Sequence, residues 1–377
     1  MKRSIMVIAG ETSGDMHAAR IVRAIKKRDP EIELWGIGGD EMEQSGVRLE
    51  EHVRDMDALG ISEVLKKYFY FRRVFKRMLK LARKRQPDAI LLVDYPGFNL
   101  RFAKAAKRAG FKVVYYVCPQ VWAWHRSRIR KMVEIIDRLL VIFPFEEELF
   151  KGTGLNVDFV GHPLVDKARQ LKAAGPEELP WGPGKRVALL PGSRRQEIER
   201  ILPQMWETIK LLEEKDPDIS FMIACSAPES AEIVEAVIAE LGNGPERLVV
   251  IAGKTRQILW QARAAMVASG TATIEAALMR CPMIVVYSVA RFTYWLGRKL
   301  IRVPHIGMVN IVAQEELCPE FIQHEADPPR MAHAIEAIIE EGPARDKMLA
   351  GLDAVADKLG LEDGVQRAAD IILEEIA

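Results

Sequence analysis

The 377-residue chain lacks any charge bias: 54 Lys and Arg stand against 53 Asp and Glu, a formal net charge of +1. That excludes a chain-wide basic field, so attraction to nucleic acid or to a membrane must be local. Cysteine is scarce, and Cys118, Cys225, Cys281 and Cys318 lie far apart with no Cys-x-x-Cys pair. This argues against a disulfide frame and fits reduced thiols in a cytosolic protein. No stretch reaches the ~18 apolar residues a transmembrane helix needs. The apolar run after Met1-Lys2-Arg3 stops at Glu11, too short for a signal-peptide core. The expectation is a soluble chain that touches a membrane, if at all, from the cytosol. The seven histidines include no His-Glu-x-x-His, so no metal is indicated. Gly253-Lys254-Thr255 imitates the end of a P-loop, but Leu248 stands where that motif needs Gly. Asp55-Met56-Asp57 resembles a metal-binding acid pair, yet it follows no clear buried strand.

What is present is a 49% hydrophobic chain of a length that suggests two domains at ~150 residues each. Apolar runs predict strands over 4–9, 32–35, 88–93, 111–117 and 138–142, with helical segments between most of them. A Gly/Pro-rich stretch from Gly175 to Gly184 reads as a linker. A second series then follows over 187–190, 219–224, 248–251, 264–268 and 283–287. Strand alternating with helix implies parallel sheets covered on both faces, with ligands beyond the carboxyl ends of the strands. On this reading residues 1–170 form an N-terminal domain and 184–345 a C-terminal one. Terminal helices over 346–377 pack back on the N-terminal domain, across the interdomain cleft, or against a partner subunit, which leaves a homodimer open.

Four strand-end loops carry candidate chemistry. Gly10-Glu11-Thr12-Ser13-Gly14-Asp15 lacks Gly-x-Gly-x-x-Gly and suits a polyhydroxylated ligand, or is a plain tight turn. Asp94 follows a strand and precedes Pro96-Gly97, where a general base meets a substrate hydroxyl; it equally suits a helix cap. Gly192-Ser193-Arg194 and Ser269-Gly270-Thr271 each open a helix after a strand. Free backbone N–H groups there favour an anion, and Arg194 adds a bidentate grip. Glu275, one turn further on, can accept from sugar hydroxyls, although the second turn alone also reads as a Ser/Thr-capped helix. Two such turns in one domain would serve one diphosphate better than either alone. Trp122, Trp124 and His125 offer a wall for sugar stacking, with at least one tryptophan expected in the core.

The segment 61–86 holds ten Lys/Arg against the single acid Glu63, with Tyr68, Phe69, Tyr70 and Phe71 consecutive. One helical face cannot bury four consecutive aromatics. Each basic residue near an anionic bilayer contributes ~1 kcal/mol, so Tyr68, Phe69, Phe71, Arg72 and Arg73 are the expected membrane contact. A nucleic-acid surface is the weaker choice, since no nucleic-acid motif accompanies the segment.

Taken together, the runs 9–15, Asp94 to Asn99, 121–124, Phe143-Pro144-Phe145-Glu146, Gly161-His162-Pro163-Leu164, Leu189 to Arg194 and Ser269 to Glu275 resemble, in order, those of glycosyltransferases of the B fold, and most closely the lipid A disaccharide synthase family. The resemblance implies two Rossmann-like domains facing a cleft. It implies transfer of 2,3-diacylglucosamine from UDP to the 6-hydroxyl of 2,3-diacylglucosamine 1-phosphate, inverting, metal-free and without cofactor, by a cytoplasmic enzyme peripheral to the inner membrane. On that basis Asp94 is the base, and Arg194 with Ser269-Gly270-Thr271 receives the leaving UDP. Glu275 binds the ribose, Asn310 sits on the donor side, and Glu11, Ser13, Gly14 and Asp15 shape the acceptor side. Phe292, Tyr294 and Trp295, flanked by Arg291 and Arg298, supply further lipid contact. The chain departs from the family at Met308-Val309-Asn310 and Gln314-Glu315-Glu316, where Leu-Pro-Asn and Gly-Arg-Glu are usual; the Arg position is Glu315. Related readings are another UDP-sugar transferase, a UDP-sugar 2-epimerase, or a non-catalytic UDP-sugar-binding protein.

Overall fold

The computed structural model describes residues 3–57, 64–122, 127–290, 294, 303–360 and 363–377. Trp124, His125, Phe292, Trp295, Arg291 and Arg298 lie outside the described residues, as do residues 61–63 of the basic segment. The chain divides into two units, Met1–Pro163 with Leu361–Ala377, and Leu164–Gly360.

The first unit holds strands β1 (Ser4–Ala9), β2 (Glu33–Gly38), β3 (Arg48–His52), β4 (Ala89–Val93), β5 (Val113–Tyr116), β6 (Arg138–Val141) and β7 (Asn156–Phe159). They form one parallel sheet in the order β3-β2-β1-β4-β5-β6-β7. The central strands are apolar throughout because both faces are covered. β1 sends Met6 and Ile8 into one buried layer and Ile5, Val7 and Ala9 into the other. The second layer is completed by Ala368, Ala369, Ile371 and Ile372 of the C-terminal helix Gly364–Glu374.

The second unit holds β8 (Arg186–Leu190), β9 (Ser220–Cys225), β10 (Leu248–Ala252), β11 (Ala264–Ala268), β12 (Met283–Tyr287) and β13 (Glu320–Ile322). Its order is β10-β9-β8-β11-β12-β13, again parallel.

Three expectations change. The stretch 175–184 is part of the second unit: the Glu177 N–H donates to Gln257 at 3.1 Å and Gln257 Nε2 donates back to the Gly175 carbonyl at 3.2 Å. The division falls instead after Pro163. The terminal helices separate: Gly364–Glu374 packs on the first unit as expected, but Pro343–Leu359 belongs to the second. Strands β3, β7 and β13, absent from the sequence reading, all lie at sheet edges.

Candidate functional site

In the first sheet the strand order reverses between β1 and β4, and in the second between β8 and β11. At such a switch point the two following loops diverge and leave a crevice beyond the carboxyl ends. The loops there are the four that sequence singles out: 10–15 and 94–99 in the first unit, 191–194 and 269–271 in the second.

In the first unit the two loops touch. A Cβ on Gly10 would lie 2.1 Å from the Tyr95 ring, so only glycine lets that ring close over the first loop. Asp94 and Tyr95 both have φ of 48°, a left-handed backbone that costs ~1–2 kcal/mol per non-glycine residue. Neighbours hold the strain in place. The Asp94 carbonyl accepts from Tyr115 Oη at 2.6 Å and from Asn99 Nδ2 at 2.8 Å, and Asn99 also donates to the Val93 carbonyl at 3.1 Å. The helix Pro96–Arg108 starts at Tyr95 without a side-chain cap, so Asp94 is not spent as one. Its half-buried carboxyl is pushed above the ordinary Asp range by burial, partly offset by the Tyr95 N–H.

Glu11 and Ser13 are exposed at the start of the helix Thr12–Arg28, whereas Gly14 and Asp15 are buried beneath them. Asp15 accepts from the N–H groups of Gly39 at 2.7 Å, Glu41 at 3.1 Å and Met42 at 3.2 Å. Its oxygens cap the helix Asp40–Gln44, so Asp15 shapes this side from below rather than facing a ligand.

Beside these loops runs the helix Val64–Arg85. Tyr68 and Phe69 are 56% and 58% exposed, while Tyr70 and Phe71 turn toward the core. Arg72 and Arg73 are exposed. Among the described residues the exposed large apolar side chains are Met16, Tyr68 and Phe69, all in this unit. No helix among the described residues is long and apolar enough to cross a membrane.

In the second unit β8 pairs with β11, which sets the two helix-opening turns next to each other. Gly270 begins the helix Thr271–Leu278 at φ of 149° with no side-chain cap, leaving first-turn N–H groups for an incoming acceptor. Thr271 is exposed there, but the Ser269 hydroxyl donates to the Ile306 carbonyl at 2.8 Å. The other turn departs from expectation. Glu197 Oε2 accepts from the N–H groups of Ser193 at 3.2 Å and Arg194 at 3.3 Å, so an internal carboxylate fills the position expected for a ligand anion. Beyond Gly192, the groups that this turn turns outward include the Arg194 side chain, 84% exposed.

Asn310 is a correction. It is wholly buried, donating to the Cys318 carbonyl at 2.7 Å and Glu320 Oε1 at 2.9 Å, and accepting from the Cys318 N–H at 2.9 Å. Glu320 also accepts from the N–H groups of Ile306 and Gly307 at 3.0 and 2.8 Å. Asn310 therefore braces the loop that receives Ser269, with both amide N–H donors spent inside the fold. Glu315, noted above as a departure from the expected pattern, is exposed.

Sequence reasoning missed a cavity of about 400 Å³ lined by Ser226, Lys254, Arg256 and Glu275. It opens beyond β9 and β10, and Arg256 Nη1 pairs with Glu275 Oε1 at 2.8 Å. The available signal was Gly253-Lys254-Thr255, set aside above for failing the P-loop pattern. The loop lines the pocket all the same.

Two doubly wound parallel sheets, each with polar loops at its switch point, are the architecture of a glycosyltransferase of the B fold. The fold is similar to that of the glycotransferase of kitacinnamycin, with a TM-score of 0.67 at 17% identity over 100% of both chains. It is also similar to UDP-GlcNAc 2-epimerase from Neisseria meningitidis bound to UDP-GlcNAc, with a TM-score of 0.60 at 12% identity over 99% of each chain. At those identities the likeness shows the fold alone. The family model described as lipid-A-disaccharide synthetase matches residues 5–373. A lipid-A-disaccharide synthase of Geobacter metallireducens is 39% identical over 376 residues, 99% of this chain and 97% of the relative. The chain belongs to the lipid-A-disaccharide synthase family and is a glycosyltransferase-type enzyme.

Proposed function

We propose that the enzyme joins UDP-2,3-diacylglucosamine to 2,3-diacylglucosamine 1-phosphate in a β-1,6 linkage, releasing UDP. Asp94 takes the proton of the acceptor 6-hydroxyl as that oxygen attacks the anomeric carbon. The bond to the UDP oxygen breaks on the opposite face, which inverts the centre. The charge developing on the diphosphate is met by Arg194 and the first turn of Thr271–Leu278, an electrostatic sink at a helix start. Glu275, held by Arg256, accepts from the ribose hydroxyls in the 400 Å³ cavity. Tyr68, Phe69 and Arg73, all exposed on the helix Val64–Arg85, contact the anionic bilayer from which both lipids are drawn.

The observation that carries this reading is Asp94: a carboxyl not spent as a helix cap, held above the ordinary Asp range by burial, at a switch point in the unit that carries the exposed apolar side chains. Asp94→Asn should lower turnover by at least ~100-fold, the usual worth of a general base, with UDP affinity unchanged. Equal loss of both would remove it from that role. The epimerase reading is disfavoured by the family match; turnover of the UDP-sugar with no lipid acceptor would revive it.

A further inference from the structure

A cavity of about 500 Å³ lies between the helices Val64–Arg85 and Pro96–Arg108, next to Asp94. Its walls are aromatic, with Phe71, Phe75, Tyr95 and Phe98 among them, and Arg72, Lys76 and Arg101 stand at its rim. Arg72 and Lys76 are four apart on one helix face, as are Gly97 and Arg101 on the next helix, so each helix presents its cation from the side that lines the groove.

The pairing of the basic residues separates two faces of Val64–Arg85. Arg77 pairs with Glu51 at 3.1 Å and Arg85 with Glu50 at 2.8 Å, and the Tyr70 hydroxyl donates to Glu51. Arg72, Lys76 and Arg101, all exposed, have no acid partner among the described residues. An apolar trough edged by three uncompensated cations fits an amphiphile with an acyl chain at one end and a compact anion at the other. A neutral acyl sugar leaves the cations unmatched, and a soluble phosphate leaves the aromatics wet.

We infer that this groove seats the acceptor: an acyl chain lies among Phe71, Phe75, Tyr95 and Phe98, and the acceptor's phosphate is held by Arg72, Lys76 and Arg101. The inference rests on the acceptor named under the proposed function and adds the residues that select a phosphorylated one. The anchored phosphate fixes the sugar beside Asp94, since Tyr95 belongs both to the groove and to the Asp94 turn.

The test is equilibrium binding of short-chain 2,3-diacylglucosamine 1-phosphate, and of the same lipid without its phosphate, to the full chain and to Lys76→Gln and Arg101→Gln. Arg83→Gln, an exposed cation of the same helix that does not line the groove, is the charge-matched control. Each groove variant should bind the phosphorylated lipid about tenfold more weakly, the scale of one hydrogen bond to a charged group, and the dephosphorylated lipid as the unaltered protein does. UDP affinity serves as the folding control and should not move. Equal loss toward both lipids, or the same loss in Arg83→Gln, overturns the inference. So does a loss confined to anionic vesicles, which would make the cations a membrane contact. Because binding is read rather than turnover, a protein that binds the acceptor this way without transferring sugar defeats the proposed reaction alone. An active enzyme whose acceptor affinity ignores these cations defeats only this inference.

Discussion

Asp94 shows how neighbouring groups hold a single residue in a conformation it would not adopt alone. Its backbone sits in a left-handed conformation because Tyr115 and Asn99 both donate to its carbonyl. Asn99→Ala should therefore cost ~1–3 kcal/mol by leaving the buried Val93 and Asp94 carbonyls short of a donor, seen as a lower urea midpoint. It should also lower the turnover number by releasing the Asp94 turn, and a variant that loses stability but keeps full activity would show that the clamp does not set the base. The pH profile carries a second expectation. A base must be ionised, and burial raises the Asp94 carboxyl. The acid limb of kcat/KM should fall at a pH above the ordinary Asp value of ~3.9; a limb at or below that value counts against Asp94. Much of the placement at this scale was legible: Asp94, Arg194 and Glu275 lie at or just beyond strand-end loops, as their neighbours in sequence announce. Asn310 was misread, and the burial of Asp15 was not visible, because burial is decided by partners elsewhere in the chain, Cys318 and Glu320 for one, Gly39 and Met42 for the other.

At the scale of elements, the strands that sequence hides are three of the four edge strands, whereas the fourth, β10, is apolar and was legible. The interior strands β1, β4, β8 and β11 are buried at almost every position and read as plain apolar runs. β3 reads Arg-Leu-Glu-Glu-His, β7 Asn-Val-Asp-Phe and β13 Glu-Phe-Ile, because an edge strand has one neighbour and carries charge that blunts further pairing. The helix Val64–Arg85 was visible from its composition, but which of its cations are neutralised was not, since Glu50 and Glu51 come from β3. Its exposed tip yields a prediction. Replacing Tyr68 and Phe69 by serine should change folding stability by no more than ~0.5 kcal/mol, as expected for exposed sites, while reducing retention on vesicles rich in anionic lipid. Retention equal to that of the unaltered protein would remove this element from the membrane contact.

Across a whole unit, buried titratable groups set how stability follows pH. In the first unit Glu146, buried at the start of the helix Pro144–Phe150, is pushed up to about 8 by burial, and His162 is pushed down to about 3, by burial first and then by His17. The folded chain keeps a proton on Glu146 that the unfolded chain loses near 4.5, so that contribution is complete below 4.5 and is lost as pH rises toward about 8. For His162 the folded chain stays neutral where the unfolded one charges, so its contribution is complete above 6.5 and is lost as pH falls toward about 3. Between 6.5 and 8 only the first operates, and Glu146→Gln should remove much of the fall in urea midpoint over that interval; an unchanged slope would place the proton elsewhere. The amino-acid sequence by itself determined the parallel α/β class, the interior strands and the helix-opening turns, because apolar runs, glycine turns and helix starts are properties of neighbouring residues. Only the tertiary structure decided that β8 lies beside β11, that Arg256 meets Glu275, and that Glu197 fills the turn expected to hold an anion. Strand order is set by how two covered faces pack, and an ion pair by where two loops end. Neither is written in local spacing.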